Sequence, residues 1–336
     1  MKIHTVAKLW QNRDLFRFNI THKKTDYLAG MLIFLIILFV HLQSFSDQSL
    51  ENQKPTISFT FDDGSTEDMG PFRLASWNQR ILDQLSKHRL KTILFSTGQN
   101  KSTARGRYVL KSWNDAGHSI ANHTFSHPDF NSEKNGLKKF REELLRNDDI
   151  IKQYTHYIQY FRFPYLKEGD TQEKVDGFRA ILRNHGYQNG HVTVDASDWY
   201  ISSRLLKRLK DNPKADISGF RAYYKQHLMN RALFYDSIST CIVHRKIHHV
   251  ILLHHNLAAA LFLDDLIQYF KEHGWNVIDA TEAYQDEIYQ TVTKVIPAGE
   301  SLIWSMAKQT GKFEDVLRYP AEDGIYEKDG MDRLGL

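Results

Sequence analysis

Three short segments, far apart in the chain, carry residue types that can build a hydrolytic metal site. They are Thr60-Phe61-Asp62-Asp63-Gly64, His123-Thr124-Phe125-Ser126-His127-Pro128 and Leu252-Leu253-His254. Each alone is commonplace: an acidic pair before glycine is often a turn, and paired histidines among the 17 here are often surface residues. Together they offer one carboxylate and two imidazoles, the three-ligand arrangement with an open position that a catalytic zinc uses. A second carboxylate, Asp62, and a third imidazole, His254, are then free for proton transfer. The four-residue spacing of His123 and His127 predicts both rings on one face of a helical turn. His248 and His249 read as surface or core histidines, and His255 as structural.

Such residues need elements to hold them at one place. Strand-like stretches occur at Thr56–Phe61, Thr92–Ser96, His118–Ala121, Tyr160–Phe163, His191–Val194, Val250–Leu253 and Trp275–Ile278. Helical rhythm runs through Ile81–Leu90, around Val109–Trp113, over 133–158, 173–185 and 260–273, and again at Ser301–Gly311. The alternation predicts an α/β fold with a largely parallel sheet covered by helices, open or closed into a barrel. Each chemistry-bearing group falls at the C-terminal end of a strand candidate. Asp62 and Asp63 follow TISFTF, His123 and His127 follow HSIAN, Arg162 and Tyr165 lie in YFRFPY, Asp195 ends HVTVD with Asp198 just past it, and His254 ends VILLH. In parallel α/β folds catalytic groups collect on that rim. Residues 200–249 hold helical runs without a strand and predict a helical insertion. Residues 286–336 predict a C-terminal extension of one helix followed by a charged tail.

The net charge of +4 is located rather than spread. Residues 1–26 hold Lys2, Lys8, Arg13, Arg17, Lys23 and Lys24 against Asp14 and Asp26, leaving 38 basic and 38 acidic residues elsewhere (44 less six, 40 less two). The folded part is formally neutral, so no nucleic-acid partner is expected. The basic arm precedes residues 27–45, which contain no Lys, Arg, Asp or Glu. That length approaches the ~20 residues of a membrane span, and the charge asymmetry places the N-terminus in the cytoplasm. A 26-residue basic region without an A-x-A-like site argues for an uncleaved single-pass anchor over a signal peptide. The expected organisation is a cytoplasmic arm (1–26), a transmembrane anchor (27–45), a polar linker (46–55), a catalytic barrel (56–285) on the outer side of the cytoplasmic membrane, and the extension. Aromatics at 12% and apolar residues at 41% exclude a globally disordered chain. The single Cys241 forms no intramolecular disulfide.

Taken in order, five segments resemble the motifs of the polysaccharide deacetylases of carbohydrate esterase family 4: TFDDG at 60–64, HTFSHP at 123–128, RFPY at 162–165, DASDW at 195–199 and LLH at 252–254. The resemblance runs from about residue 54 to 280. It implies a distorted (β/α) barrel of seven or eight strands and one divalent metal ion, with Zn²⁺ expected, held by Asp63, His123 and His127. It further implies Asp62 as general base steadied by Arg162, and His254 as general acid paired with Asp198. Trp199 and Leu252 would wall a pocket for the acetyl methyl group, and the Tyr165 backbone N–H would face the oxyanion.

The expected function is metal-dependent hydrolysis of the N-acetyl group of an N-acetylated cell-envelope or exported polysaccharide, releasing acetate. Two other readings are a hydrolase of small non-peptide amides on the same scaffold and a non-catalytic glycan-binding protein. The second would lack a ligand or a proton-transfer residue, and the chain lacks none. The long segment between Gly64 and Ile81 and the insertion at 200–249 depart from the family pattern beside the active rim. His255 after His254 leaves the register of the last motif open by one residue.

Overall fold

The computed structural model describes residues 54–319 and 323–336. The basic arm, the apolar segment 27–45 and residues 46–53 of the linker lie outside them. Among the described residues no helix is long and apolar enough to cross a membrane.

The described strands are β1 (Thr56–Asp63), β2 (Ile93–Ser96), β3 (Ser119–Asn122), β4 (Tyr157–Phe161), β5 (Lys167–Gly169), β6 (Gln188–Asn189), β7 (His248–His254), β8 (Asn276–Val277) and β9 (Ala298–Gly299). The helices are α1 (Leu74–Lys87), α2 (Ala104–Asp115), α3 (Leu137–Ile151), α4 (Gln172–Asn184), α5 (Asp198–Asp211), α6 (Ser218–Val243), α7 (Leu257–Glu272), α8 (Ala280–Ala283), α9 (Leu302–Thr310) and α10 (Gly324–Arg333). Seven strands form one parallel sheet in the order β6-β4-β3-β2-β1-β7, with β8 beside the start of β1. Strands β5 and β9 pair separately and antiparallel.

Helices pack against the sheet, so its central strands β1, β2 and β7 are buried along most of their length. In β1, Ile57, Phe59 and Phe61 point one way into the main core, and the two-residue period sends Ser58, Thr60 and Asp62 the other way. Helix α1 buries Leu74, Trp77, Ile81, Leu82 and Leu85, the one-sided stripe of an amphipathic helix packed on a sheet. A second cluster, Phe130, Phe140, Phe161, Phe163 and Phe178, fills the space behind β4.

Past β6 the chain leaves β4 at Gly190, whose N–H donates to Phe161 O at 2.7 Å. By Thr193 and Val194 it has reached the opposite edge, where both N–H groups donate to Val250 O at 3.0 and 3.1 Å. One stretch of chain thus touches both edges, and the parallel sheet curls back on itself, consistent with a distorted (β/α) barrel. The crossing needs glycine: a Cβ at Gly190 would lie 2.4 Å from the Phe95 ring.

Several expected boundaries move. The strand expected at His191–Val194 is reduced to β6 plus a single bridge between Val194 and Ile251, because this segment passes between two edges instead of pairing along one. The strand expected at Tyr160–Phe163 is β4, three residues earlier at its start; Pro164, lacking an N–H, stands just past it in a 3₁₀ turn. The helix expected over 133–158 is only α3, beginning after Gly136. The expected charged tail contains a folded helix, α10, capped by the Asp323 side chain accepting the Ile325 N–H and burying Met331. Of its charges, Glu327 pairs with Arg318 and Asp332 with Arg204, contacts that composition does not reveal. Residues 200–249 are mostly helical, occupied by α5 and α6.

Candidate active site

The parallel register brings the strand ends to one rim. There a cavity of about 470 Å³ is lined by Asp62, Asp63, His123, His127, Tyr165, Trp199, Leu252 and His254. Arg162 and Asp198 stand directly behind this wall, each bonded to a residue that lines it. All ten residues given a role from the sequence therefore meet at one place, and Asp195 lines the same cavity.

Asp63 would point away from Asp62 on an ideal strand, but its backbone is left-handed, with φ 78°. Three donors hold its carbonyl in that turn: Thr97 N–H at 3.2 Å, Thr97 Oγ1 at 3.0 Å and Lys101 Nζ at 3.2 Å. Gly64 follows with φ 66°, and a Cβ there would meet Ser96 Oγ at 3.1 Å, so glycine is required twice over. Left-handed non-glycine residues recur around the cavity at Thr124, His127, Tyr165, Leu166 and Ser197. Backbone strain of this kind gathers at functional sites.

His123 and His127 do not share a helical turn, contrary to the spacing argument. They lie on a loop after β3 in which Thr124 has φ 63° and His127 φ 58°. Asn122 Oδ1 accepts the Thr124 N–H at 3.0 Å and Thr124 Oγ1 accepts the His127 N–H at 3.1 Å. Glu143 on α3 takes both the Ser126 N–H, at 2.6 Å, and its hydroxyl, at 2.9 Å. These side-chain bonds, rather than helical periodicity, fold the loop so that the two rings sit 5.0 Å apart.

Asp63, His123 and His127 each offer a ligand atom, all within 4.8 Å of one another. His123 Nδ1 lies 2.8 Å from Arg162 O, which can only accept, so the Nδ1 proton is fixed there and Nε2 presents its lone pair to Asp63. Burial is the main cause that lowers both imidazoles to a pKa of about 4, so they are neutral at pH 7. Burial pushes Asp63 up, but His254, His123, His127 and Lys101 outweigh it and leave its carboxyl below the ordinary value. One carboxylate and two neutral imidazoles with one ring oriented from behind suit a divalent cation of the zinc type.

Asp62 is buried, and its Oδ1 accepts from Arg162 Nη1 at 2.5 Å. Arg162 is spread over further partners: Gly190 O at 2.8 Å, Tyr284 Oη at 2.9 Å and the face of Phe95 at 3.8 Å. Burial outweighs the guanidinium and His254, and the Asp62 pKa rises above its ordinary value. A carboxylate adjusted upward is better matched to proton abstraction near neutral pH.

His254 ends β7 with its Nδ1 2.6 Å from Asp198 Oδ1 and its N–H donating to Asp198 Oδ2 at 3.0 Å. Asn256 Nδ2 donates to the same oxygen at 2.9 Å. Burial opposes the imidazolium, yet Asp198, with Asp63 and Asp62, raises its pKa to about 10. His255 points to the opposite face of the strand, as strand alternation requires. There it is buried between Trp77 and Trp113, with Nε2 2.9 Å from Asn78 Oδ1, and burial lowers its pKa to about 3.

Sequence reasoning missed Lys101, buried with its ammonium on the Asp63 carbonyl and a pKa that burial lowers to about 8. It also missed Tyr284, which backs Arg162, and Leu166, Lys167, Glu300 and Asp323, which line the cavity. Glu300 and Asp323 arrive from the C-terminal extension, where no spacing pattern links them to the strand ends.

Known proteins resemble this chain in the same region. Residues 49–190 match the family model described as polysaccharide deacetylase. The peptidoglycan-N-acetylglucosamine deacetylase of Bacillus cereus is 30% identical over 147 residues, covering 44% of this chain and 47% of that protein. The peptidoglycan-N-acetylmuramic acid deacetylase of Bacillus subtilis is 33% identical over 181 residues, covering 53% and 62%. The chain thus spans between about half and six-tenths of the length of these curated relatives. Among solved structures, a family 4 carbohydrate esterase from Streptomyces lividans in complex with acetate is 20% identical with a TM-score of 0.44, covering 66% of this chain and 91% of that one. The family match takes in the part of the chain that carries the first three of the five motif segments, TFDDG, HTFSHP and RFPY, and the chain is similar there to the polysaccharide deacetylases.

Proposed function

We propose that the protein is a metal-dependent N-deacetylase of an N-acetylated cell-envelope or exported polysaccharide, releasing acetate. One observation carries this reading: a carboxylate and two neutral imidazoles converge within 4.8 Å on a cavity whose wall also holds Asp62 and His254. The curled sheet is read as the distorted barrel of the family. A divalent ion held by Asp63, His123 and His127, with Zn²⁺ preferred, would supply a Lewis acid for the acetyl carbonyl and lower the pKa of water.

The chain's own groups move the protons. Asp62 accepts a proton from the attacking water, and Arg162 keeps its Oδ1 in place so that Oδ2 does so. The developing oxyanion lies toward the Tyr165 N–H. His254 holds its proton through Asp198 and delivers it to the departing sugar nitrogen, so acetate and a free amine leave. Trp199 and Leu252 enclose the acetyl methyl group, and the exposed rings of Tyr165 and Trp199 offer flat faces to a sugar. Residues 27–45 would tether the catalytic part to the cytoplasmic membrane with residues 54–336 outside it, which suits a polymer of the envelope. N-terminal sequencing of protein extracted from membranes tests the tether; a new N-terminus after about Ser46 would overturn it.

Acetate release from a panel of N-acetylated glycans, with and without chelator, tests the activity. Release from a polymer, abolished by chelator and restored by Zn²⁺, is expected. Release only from small acetamides would instead support an amide hydrolase, and no release from any substrate at full metal occupancy would support a glycan-binding role.

A further inference from the structure

The acid side of the site is held by parts of the chain outside the matched segment. Asp198 opens α5 directly after Ser197, a buried residue in the left-handed region at φ 47° that caps the helix without a side-chain hydrogen bond. The turn that aims Asp198 at His254 is therefore strained, and its local bonds are Ala196 N–H to Asp195 Oδ1 at 2.8 Å and Tyr200 N–H to Ser197 O at 3.0 Å. A further brace comes from α6. His227 Nε2 lies 2.8 Å from Ala196 O, and Nδ1 lies 3.1 Å from the Glu327 carboxylate. Both facing atoms are acceptors, so each contact is a hydrogen bond when the nitrogen facing it carries a proton. Burial outweighs Glu327 and the Ala196 carbonyl and leaves the ring's pKa below its ordinary value.

Glu327 belongs to α10 and is itself fixed, accepting from Arg318 Nη1 at 2.8 Å and from Tyr223 Oη at 3.1 Å. Tyr223 also stacks on the His227 ring at 5.7 Å, with the planes 5° apart. His227 and Glu327 are both largely buried. From the same helix, fully buried Tyr224 lies near enough that the Asp198 charge helps to keep its hydroxyl from ionising. The insertion and the C-terminal helix thus converge on one carbonyl, two residues before the carboxylate that charges His254.

We infer that His227 is a positioning residue for deacetylation: anchored by Glu327, it clamps Ala196 O and so holds the Asp198 carboxylate on His254. This rests on the proposed function, in which the Asp198–His254 pair supplies the leaving-group proton. It gives the insertion and the C-terminal helix a shared task that local packing alone does not.

The experiment is a double-mutant cycle on the full chain loaded with Zn²⁺, with acetate release from an N-acetylated glycan as the assay. His227→Phe keeps the ring stack and leaves Glu327 paired with Arg318 and Tyr223, but removes the bond to Ala196. It should lower kcat about tenfold with KM and metal content unchanged, and His227→Gln, which retains one N–H donor, should recover most of the loss. If His227 acts through Asp198, then Asp198→Asn combined with His227→Phe loses no more than Asp198→Asn alone. Losses that multiply, or a His227→Phe enzyme within twofold of wild type, would overturn the inference. Should His227→Phe fail to fold, Glu327→Gln carries the same cycle with the imidazole in place. A wild-type protein that releases no acetate defeats the proposed function instead, so the two failures are separable.

Discussion

Asp62 and His254 are direct partners in the β1–β7 register, side by side at the ends of neighbouring strands. Each is hydrogen-bonded to one opposite charge, Arg162 for the carboxylate and Asp198 for the imidazole. Yet the outcomes differ in kind. Burial wins at Asp62 and raises its pKa against the pull of Arg162, whereas Asp198 wins at His254 and holds it protonated. The partners explain the difference. Arg162 divides its donors among Asp62, Gly190 O and Tyr284 and stacks on Phe95, while both oxygens of Asp198 are committed to His254 and Asn256. Position on the strand brings a group to the site; the balance of burial against its charged neighbours sets the direction of its pKa shift.

The largest effect should come from the ligands that both sides share. His123→Ala or His127→Ala should abolish stoichiometric Zn²⁺ and acetate release together while circular dichroism shows the fold intact. Full metal occupancy in both purified variants would disprove the ligand assignment. Next in size, Asp62→Asn and His254→Ala should retain metal yet each lose about 10²–10⁴-fold in kcat, the usual range for a general base or acid. A loss of metal in Asp62→Asn would merge the base with the ligand set and dissolve the comparison.

Asp198→Asn sharpens the contrast through pH. The acid must be protonated, so activity falls as pH rises through the His254 pKa, about 10 with Asp198 in place. Removing that negative charge lowers the pKa, and the alkaline limb of the pH–rate profile should move to lower pH. An unmoved limb would show that Asp198 does not control the proton on His254. The smallest effect on rate belongs to His255→Ala, which leaves the cavity wall intact. It should cost about 1–3 kcal/mol of stability, from the bond to Asn78 and the packing against two tryptophans, with kcat nearly unchanged. If His255→Ala is the dead enzyme and His254→Ala the active one, the acid has been placed on the wrong side of β7.

Much of the site was legible because strand-end position is a local property. TISFTF alternates apolar residues with β-forming threonines and a serine, and VILLH is an apolar run; both read as strands, and the polar residues that close them emerge on the rim. The order of the five motif segments then identified which polar residues mattered. The choice between His254 and His255 could not be made on residue type. It needed the phase of β7 against β1, which sets one ring beside Asp198 and the other between Trp77 and Trp113.

What the sequence alone determined is the set of reactive groups and the alternation of strands and helices, since side-chain chemistry and hydrophobic period are written residue by residue. The tertiary structure decided the rest. The His123–His127 spacing looked helical, but Asn122, Thr124 and distant Glu143 fold that segment as a strained loop. The direction of the Asp62 shift depends on how deeply the strand end is buried and how many partners Arg162 serves. Lys101 beneath Asp63, and His227 and Glu327 behind Asp198, became visible only when segments far apart in the chain were brought into contact. Burial and long-range hydrogen bonds are properties of contacts between such segments, and no local pattern of residues encodes them.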